Sequence, residues 1–193
     1  ASGRIKLTPD TEGTPTVVGF KGGEASFIVI ERGGKLALRV RDAQSPALLG
    51  FNGIDYFSID RTFRVEAEFT AHEAGRTMEI VNILGMVEPM MNPGKVSFNL
   101  GEQRYTLEAL DEGDHRLFFV FADRTSGHDS YPAGRFVYAD YPGADGRTVL
   151  DFNKAYNPPC AFNPYSTCPM PPPENRLDVL ISAGEKKPRK TPE

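Results

Sequence analysis

The sequence predicts an all-β protein of about eleven short strands, arranged as two packed β units or as a split barrel or sandwich. Three observations lead to this prediction. Short apolar or alternating segments recur along the 193 residues, turn-forming residues separate them, and no helix-like pattern exceeds two turns. A long irregular segment rich in Pro and Asn, residues 151–177, follows most of the strands. We expect this segment, called the strap, to close one end of the sheet.

The strands are justified in chain order by their side-chain patterns. Residues 25–40 read as a hairpin around Gly33-Gly34, and residues 63–69 alternate strictly between apolar and charged side chains. Residues 95–110 form a second hairpin through Gly101. Residues 116–123 are apolar on both faces, as in a central strand that is covered on each side. Further strands are predicted within residues 134–140, 147–152 and 176–182, and one helical turn within residues 45–51.

The same patterns predict the domain organisation. Residues 1–183 are expected to form one β domain, with a weak two-fold repeat that relates residues of about 16–90 to residues 91–183. Residues 184–193, "GEKKPRKTPE", are dominated by basic and proline residues and have nothing to bury. This composition predicts a flexible basic tail.

Composition narrows the function classes. Hydrophobic residues make up 39% and charged residues 25% of the chain, as in an ordinary globular protein. The formal net charge of −4 argues against a nucleic-acid partner, and no apolar run reaches the roughly 20 residues of a membrane-spanning helix. No signal-peptide pattern begins the chain. A cytoplasmic and an exported location both stay open, as does the oligomeric state.

Several segments carry recognisable motifs. Among them are "FNGIDYF", "RVEAEF", "YPAGRF" and, most specifically, "DFNKAYNPPCAFNPYSTCP" followed by "PPENRL" and "AGEK". Together they resemble the prokaryotic domain-of-unknown-function family 1684, in order from about Phe27 to Lys186. Family members usually carry a further aromatic-rich, β-like N-terminal segment, which this chain is expected to lack. The resemblance implies a kind of domain and no particular reaction.

The sequence indicates no metal site and no cofactor, and it leaves any catalytic residues unknown. Cys160 and Cys168 would supply two zinc ligands, but no further Cys or His has the spacing that a zinc site requires. The histidines His72, His115 and His128 are scattered and expected to be exposed. Neither a nucleophile elbow nor a glycine-rich phosphate loop is recognisable. A flavin-like cofactor between protomers ranks last among the alternatives, because the chain has no Trp for stacking.

Cys160 and Cys168 lie eight positions apart in the strap. This spacing suits a local disulfide, which would contribute roughly 2–3 kcal/mol to stability. It suits two reduced, buried thiols equally well. In both alternatives the two cysteines have a structural role.

The best ligand-binding candidates are arginines in motif-like surroundings. A packed guanidinium can clamp a carboxylate or phosphate with two parallel hydrogen bonds, and nearby amide and phenol groups would complete a pocket at the mouth of the barrel. The candidate set is Arg135, Arg176, Tyr131, Asn153, Tyr156 and Asn157. The competing interpretation uses the strap residues to tie an irregular backbone to the barrel, and the arginines for internal salt bridges.

Two functional hypotheses follow. The first is a non-enzymatic module that binds a small polar or anionic ligand or a partner, or that serves as a scaffold. The alternative is a hydrolase-like enzyme that holds a small anionic or polar substrate with Arg135 and Arg176. The enzyme requires a pocket in which these arginines converge with an Asp or His of perturbed pKa.

Overall fold

The computed structural model describes residues 4–32 and 34–189. They form two compact units, which divide between Phe51 and Asn52. The predicted all-β class is confirmed, since ten strands carry the fold of the described residues. The helical turn predicted after Ser45 is a short α-helix, Pro46–Leu49. The single domain over residues 1–183 and the weak repeat stay predictions.

The first unit contains a three-stranded antiparallel sheet. Its strands are β1 (Val18–Phe20), β2 (Ala25–Arg32) and β3 (Lys35–Asp42), in the order β1-β2-β3. The β2–β3 pair is the first predicted hairpin, although Gly33 of its turn lies outside the described residues. Asp10 ties the preceding chain to β2, because its carboxylate accepts from the backbone N–H of Glu31 at 3.1 Å and lies 2.8 Å from the guanidinium of Arg32.

The second unit is a barrel-like sheet of seven strands. They are β4 (Arg64–Ala71), β5 (Thr77–Val81), β6 (Val87–Leu100), β7 (Gln103–Asp111), β8 (Arg116–Phe121), β9 (Arg135–Asp140) and β10 (Arg147–Asp151). The strand order is β10-β4-β6-β7-β8-β9, with β5 paired to β6. The end strands β9 and β10 approach each other, and Thr148 Oγ1 donates to the carbonyl of Asp140 at 2.7 Å. The sheet therefore nearly closes into a barrel.

Alternation along the strands fills the barrel with apolar side chains. Strand β8 is apolar on both faces, as predicted, and its two faces pack in different buried clusters. Leu117, Phe119 and Phe121 point into the barrel core. Phe118 and Val120 point outward into a second buried cluster with residues of β5, β9 and the strap. The strap and the β5–β6 hairpin therefore cover the outer face of β8.

The strand predicted at residues 176–182 is wrong. The segment has irregular backbone and pairs with the sheet at one isolated bridge, Ala122↔Arg176. Its backbone bonds continue past the end of β8, where the N–H of Arg124 donates to the carbonyl of Val179 at 2.9 Å. Because β8 ends at Phe121, the segment bonds to the irregular chain that follows, at Ala122 and Arg124, and no regular strand is available there for a ladder.

The side chain of Asn175 bridges the gap where β7 and β8 separate. The two strands pair at Leu110↔Phe118 and diverge beyond it, although the same register would place Glu108 opposite Val120. Fully buried Asn175 fills this position. Its Oδ1 accepts from the N–H of Glu108 at 2.7 Å, and its Nδ2 donates to the carbonyls of Glu108 and Val120, both at 3.0 Å. The carboxamide thus satisfies backbone groups that would otherwise be buried without partners.

The flexible tail predicted at residues 184–193 is wrong for residues 184–189, which are bonded to the second unit. The N–H of Glu185 donates to the carbonyl of Ala155, and that of Lys186 to the carbonyl of Asp55, both at 2.8 Å. Arg189 forms an ion pair with Asp55 at 2.6 Å. Backbone hydrogen bonds hold this segment. The amino-acid composition of the segment does not reveal them, because they do not depend on its side chains. Residues 190–193 lie outside the described residues.

Asn175→Ala removes the hydrogen bonds that the Asn175 carboxamide makes to the backbone of Glu108 and Val120. We expect this variant to lower the free energy of unfolding by roughly 2–4 kcal/mol. Asn163→Ala is the matched control. Asn163 is exposed and bonds within its own loop, to Ser166 and Tyr165, so its replacement should change stability by less than about 0.5 kcal/mol. Urea denaturation followed by circular dichroism measures both variants. Equally small effects would contradict the role assigned to Asn175.

Candidate functional site

Arg135, the first predicted ligand residue, points into the end of the barrel. It begins β9 and pairs in register with Phe121, whose side chain belongs to the barrel core. The preceding Gly134 has φ +91°, and a Cβ there would lie 2.5 Å from the Phe121 carbonyl oxygen and from Pro171. Only glycine fits this tight turn. The turn therefore directs the arginine inward.

The guanidinium of Arg135 is fully buried and hydrogen-bonded inside the protein. Its Nη1 donates to the carbonyls of Ala183 and Glu185, and its Nη2 donates to the carbonyl of Ile181 at 2.9 Å and to Asp123 Oδ1 at 3.1 Å. Burial lowers the pKa of Arg135, and the charge of Asp123 opposes this effect. These bonds hold the C-terminal segment, residues 178–189, in place.

The partner carboxylate of Asp123 accepts hydrogen bonds at both oxygens. Its Oδ2 accepts from the backbone N–H groups of Ile181 at 2.8 Å and Thr125 at 3.1 Å. Its Oδ1 accepts from the hydroxyl of Thr125 at 3.1 Å as well as from Arg135. The Thr125 hydroxyl lies 2.8 Å from that of Ser130, and both side chains are buried. Neither ion of the pair has a group directed toward solvent.

Arg176 has a different environment from Arg135. Arg176 is exposed, whereas Arg135 has no exposed surface. Arg135 is therefore unable to line a solvent-filled pocket with Arg176. The internal salt bridge considered for arginines in these motifs is found for Arg135, with Asp123 as its partner.

Asn153 and Asn157 bind backbone groups. Asn153 exchanges hydrogen bonds with the backbone of Asp60, at 2.8 Å from Nδ2 and 3.0 Å to Oδ1. Asn157 donates from Nδ2 to the carbonyl of Lys186 at 2.7 Å, and its N–H donates to the carboxylate of Glu185 at 2.7 Å. Both residues therefore join the strap to other parts of the second unit.

The two candidate tyrosines also attach the strap. The hydroxyl of Tyr131 donates to the carbonyl of Cys160 at 3.0 Å, and burial raises the pKa of Tyr131 to about 12, with a contribution from its contact with Cys160. Tyr156 exchanges backbone hydrogen bonds with Phe136, at 2.9 Å in each direction. Its ring stacks on that of Tyr138, at 6.2 Å between centroids. The tying role considered for the strap accounts for these contacts.

One histidine differs from expectation. His115 and His128 are exposed, but the side chain of His72 is only 12% exposed and its Nε2 lies 2.8 Å from the carboxylate of Glu108. Buried Asn92 donates to the same carboxylate at 3.0 Å. The sequence did not show this cluster, because its members come from different strands and turns. Within residues 4–32 and 34–189, no three Cys, His, Asp or Glu side chains converge as metal ligands.

A charged groove of about 350 Å³ lies on the outer face of the barrel sheet, across β10, β4, β6 and β7. Register places these side chains in rows, since Glu68 of β4 lies beside Arg147 on one side and Ser97 on the other. The polar residues that line the groove are Glu66, Glu68, Ser97, Asn99, Arg104 and Arg147.

Two ion pairs cross the floor of the charged groove. Arg147 is in register with Glu68, yet its Nη1 lies 3.3 Å from Glu66. Arg104 reaches from β7 over β6 to Glu68 at 2.7 Å. All four side chains are more than half exposed. Such pairs contribute only about 0–1 kcal/mol, so an incoming ligand can replace them at little cost.

The sequence revealed part of this groove. The strict alternation of residues 63–69 placed Glu66 and Glu68 on the polar face of one strand. It gave no reason to add Arg104 and Arg147, because these lie on other strands and only the register brings them to the carboxylates. None of the six predicted ligand residues lines the charged groove.

No described helix is long and apolar enough to cross a membrane.

Comparison with known proteins supports the resemblance found in the motifs. A family model described as "Protein of unknown function (DUF1684)" matches residues 49–186. The solution NMR structure of an uncharacterized protein from Haloarcula marismortui is similar, with 32% sequence identity and a TM-score of 0.60, over 74% of this chain and 80% of that one. No curated protein is significantly similar to the chain.

Arg135→Met keeps the length of the side chain but leaves the Asp123 carboxylate buried without its cation. We expect it to lower the free energy of unfolding by roughly 3–5 kcal/mol. Arg124→Met is the control, because Arg124 pairs with Asp178 at an exposed position, with 61% and 81% of the side chains accessible, and should show no measurable loss. Thermal and urea denaturation measure both variants. A stable Arg135→Met protein would contradict the structural role of the buried pair.

Proposed function

The chain belongs to the DUF1684 family of proteins of unknown function, and we propose that it is a non-enzymatic module that binds a small polar or anionic ligand in the charged groove. The proposal is supported by a contrast between two sets of polar groups in the second unit: one set is bonded inside the protein, and the other faces solvent. Arg135 and Asp123 bind each other and the C-terminal segment, and the strap amides bind backbone. The charged groove presents its arginines to solvent.

The chemistry of the charged groove favours a ligand that carries a carboxylate next to hydroxyl groups. A guanidinium binds a carboxylate with two parallel hydrogen bonds, and Arg104 and Arg147 supply one guanidinium on each side of β4. Glu66 and Glu68 can then accept hydrogen bonds from ligand hydroxyls, and Ser97 and Asn99 lie on the same floor. A sugar acid has this combination of groups.

The hydrolase alternative is not proposed, because the two arginines assigned to it do not present a common anion site. Arg135 donates to Asp123 and to backbone carbonyls, whereas Arg176 lies at the surface. Nucleic acid is not proposed as a partner either, since acidic and basic side chains alternate in the charged groove and the formal net charge is −4.

We expect gluconate, used as the sugar-acid probe, to bind with a dissociation constant of roughly 0.1–1 mM in isothermal titration calorimetry. The double variant Arg104→Ala/Arg147→Ala should weaken this binding at least about tenfold, because it removes both guanidinium groups. Arg124→Ala removes an equally exposed arginine outside the charged groove and should bind as the wild type does. Circular dichroism verifies that all variants are folded.

Two results would contradict the proposal. One is that folded wild-type protein binds none of a panel of sugar acids, amino acids and nucleotides at millimolar concentration. The other is that the double variant and the Arg124→Ala control bind gluconate with the same affinity as the wild type.

A further inference from the structure

Two thiols of the strap lie in contact, and the proposed binding function uses neither. Cys160 belongs to the 3-10 turn Pro159–Ala161, and Cys168 is followed by Pro169. The backbone N–H of Cys160 donates to Sγ of Cys168 at 3.1 Å, and both side chains pack in the second buried cluster. Both are free. Because Sγ of Cys168 lies 3.1 Å from the backbone nitrogen of Cys160, the two side chains are close enough for a local disulfide to be considered.

We propose that Cys160 and Cys168 form a thiol–disulfide exchange site, which a small-molecule disulfide such as oxidised glutathione converts into an intramolecular disulfide. The new bond closes the loop of residues 160–168. This inference does not depend on the charged groove, which is built from other strands.

The two cysteines differ in accessibility, and this sets the order of reaction. Cys160 is partly exposed, whereas Cys168 is only 6% exposed. Burial, together with the hydrogen bond to the Cys160 thiol, raises the pKa of Cys168 to about 12. Cys168 therefore stays protonated at neutral pH, and an external disulfide meets Cys160 first.

The exchange takes two balanced steps. The thiolate of Cys160 attacks one sulfur of oxidised glutathione, which forms a mixed disulfide and releases one glutathione. Cys168 then loses its proton, and its thiolate attacks the Cys160 sulfur and expels the second glutathione. Each leaving thiolate takes up the proton lost by the attacking cysteine. Two protein thiols are oxidised, and one glutathione disulfide is reduced to two thiols.

The disulfide would join two points that are already attached to different parts of the barrel. The carbonyl of Cys160 accepts from Tyr131, in the β8–β9 connection, at 3.0 Å. The carbonyl of Cys168 accepts from the N–H of Ile83, in the turn after β5, at 3.0 Å. The loop between the two cysteines has exposed positions, and Tyr165 is 89% accessible. Oxidation thus cross-links the β8–β9 connection to the β5–β6 hairpin through the strap.

The test incubates the reduced full chain with oxidised glutathione and follows intact mass, free thiols and melting temperature. We expect loss of both thiols, a final mass lower by two hydrogen atoms, and a melting temperature higher by roughly 5–10 °C, because a short loop has been closed. Two free thiols after excess oxidant, or disulfides between two molecules, would overturn the proposal.

Single variants test the order of attack. Cys168→Ala should stop at the mixed disulfide and gain the mass of one glutathione on Cys160, whereas Cys160→Ala should gain none under the same conditions. Peptide mapping of wild-type protein quenched at early times locates the same intermediate without any substitution, should a variant fail to fold. An adduct found first on Cys168 would overturn the assignment of Cys160 as the attacking thiol.

Discussion

The buried ion pair between Arg135 and Asp123 is the constraint on which the second unit depends. Both side chains are withdrawn from water. Each charge is tolerated because the other compensates it and because further hydrogen bonds engage both Nη groups of Arg135 and both carboxylate oxygens of Asp123. Several of those bonds come from the C-terminal segment, through the backbone of Ile181, Ala183 and Glu185. Undocking that segment would leave both charges undersatisfied, so the end of the barrel and the segment that covers it form together.

The strap solves a related problem with uncharged groups. Irregular backbone has no ladder partners of its own, and buried N–H and C=O groups need them. Its prolines lack an N–H and lower the demand, while carboxamides offer a donor and an acceptor at once. Asn175 uses both between β7 and β8, and Asn153 uses both on the backbone of Asp60. The composition that is unsuitable for a strand is what lets the strap dock on a barrel.

Polar side chains of the second unit fall into two groups, those that bind other parts of the protein and those that stay exposed on regular strands. Arg135, Asn153 and Asn157, which the motifs made conspicuous, bind internal partners and hold the second unit together, whereas Arg176 is exposed. The arginines of the charged groove lie on regular strands, in exposed pairs that a ligand can displace. The thiol pair is intermediate, since it is held in contact by the strap and one member is still accessible.

The sequence by itself determined the all-β class, most of the strands and the family, because side-chain alternation and the strap motifs are local signals. Only the tertiary structure decided the position of Arg135 inside the barrel, the pairing of His72 with Glu108, and the irregular course of residues 176–182. It also brought Arg104 to Glu68. The physical reason is the same in each instance: strand register and packing join residues that are far apart in the chain, and no local pattern records which strands are neighbours.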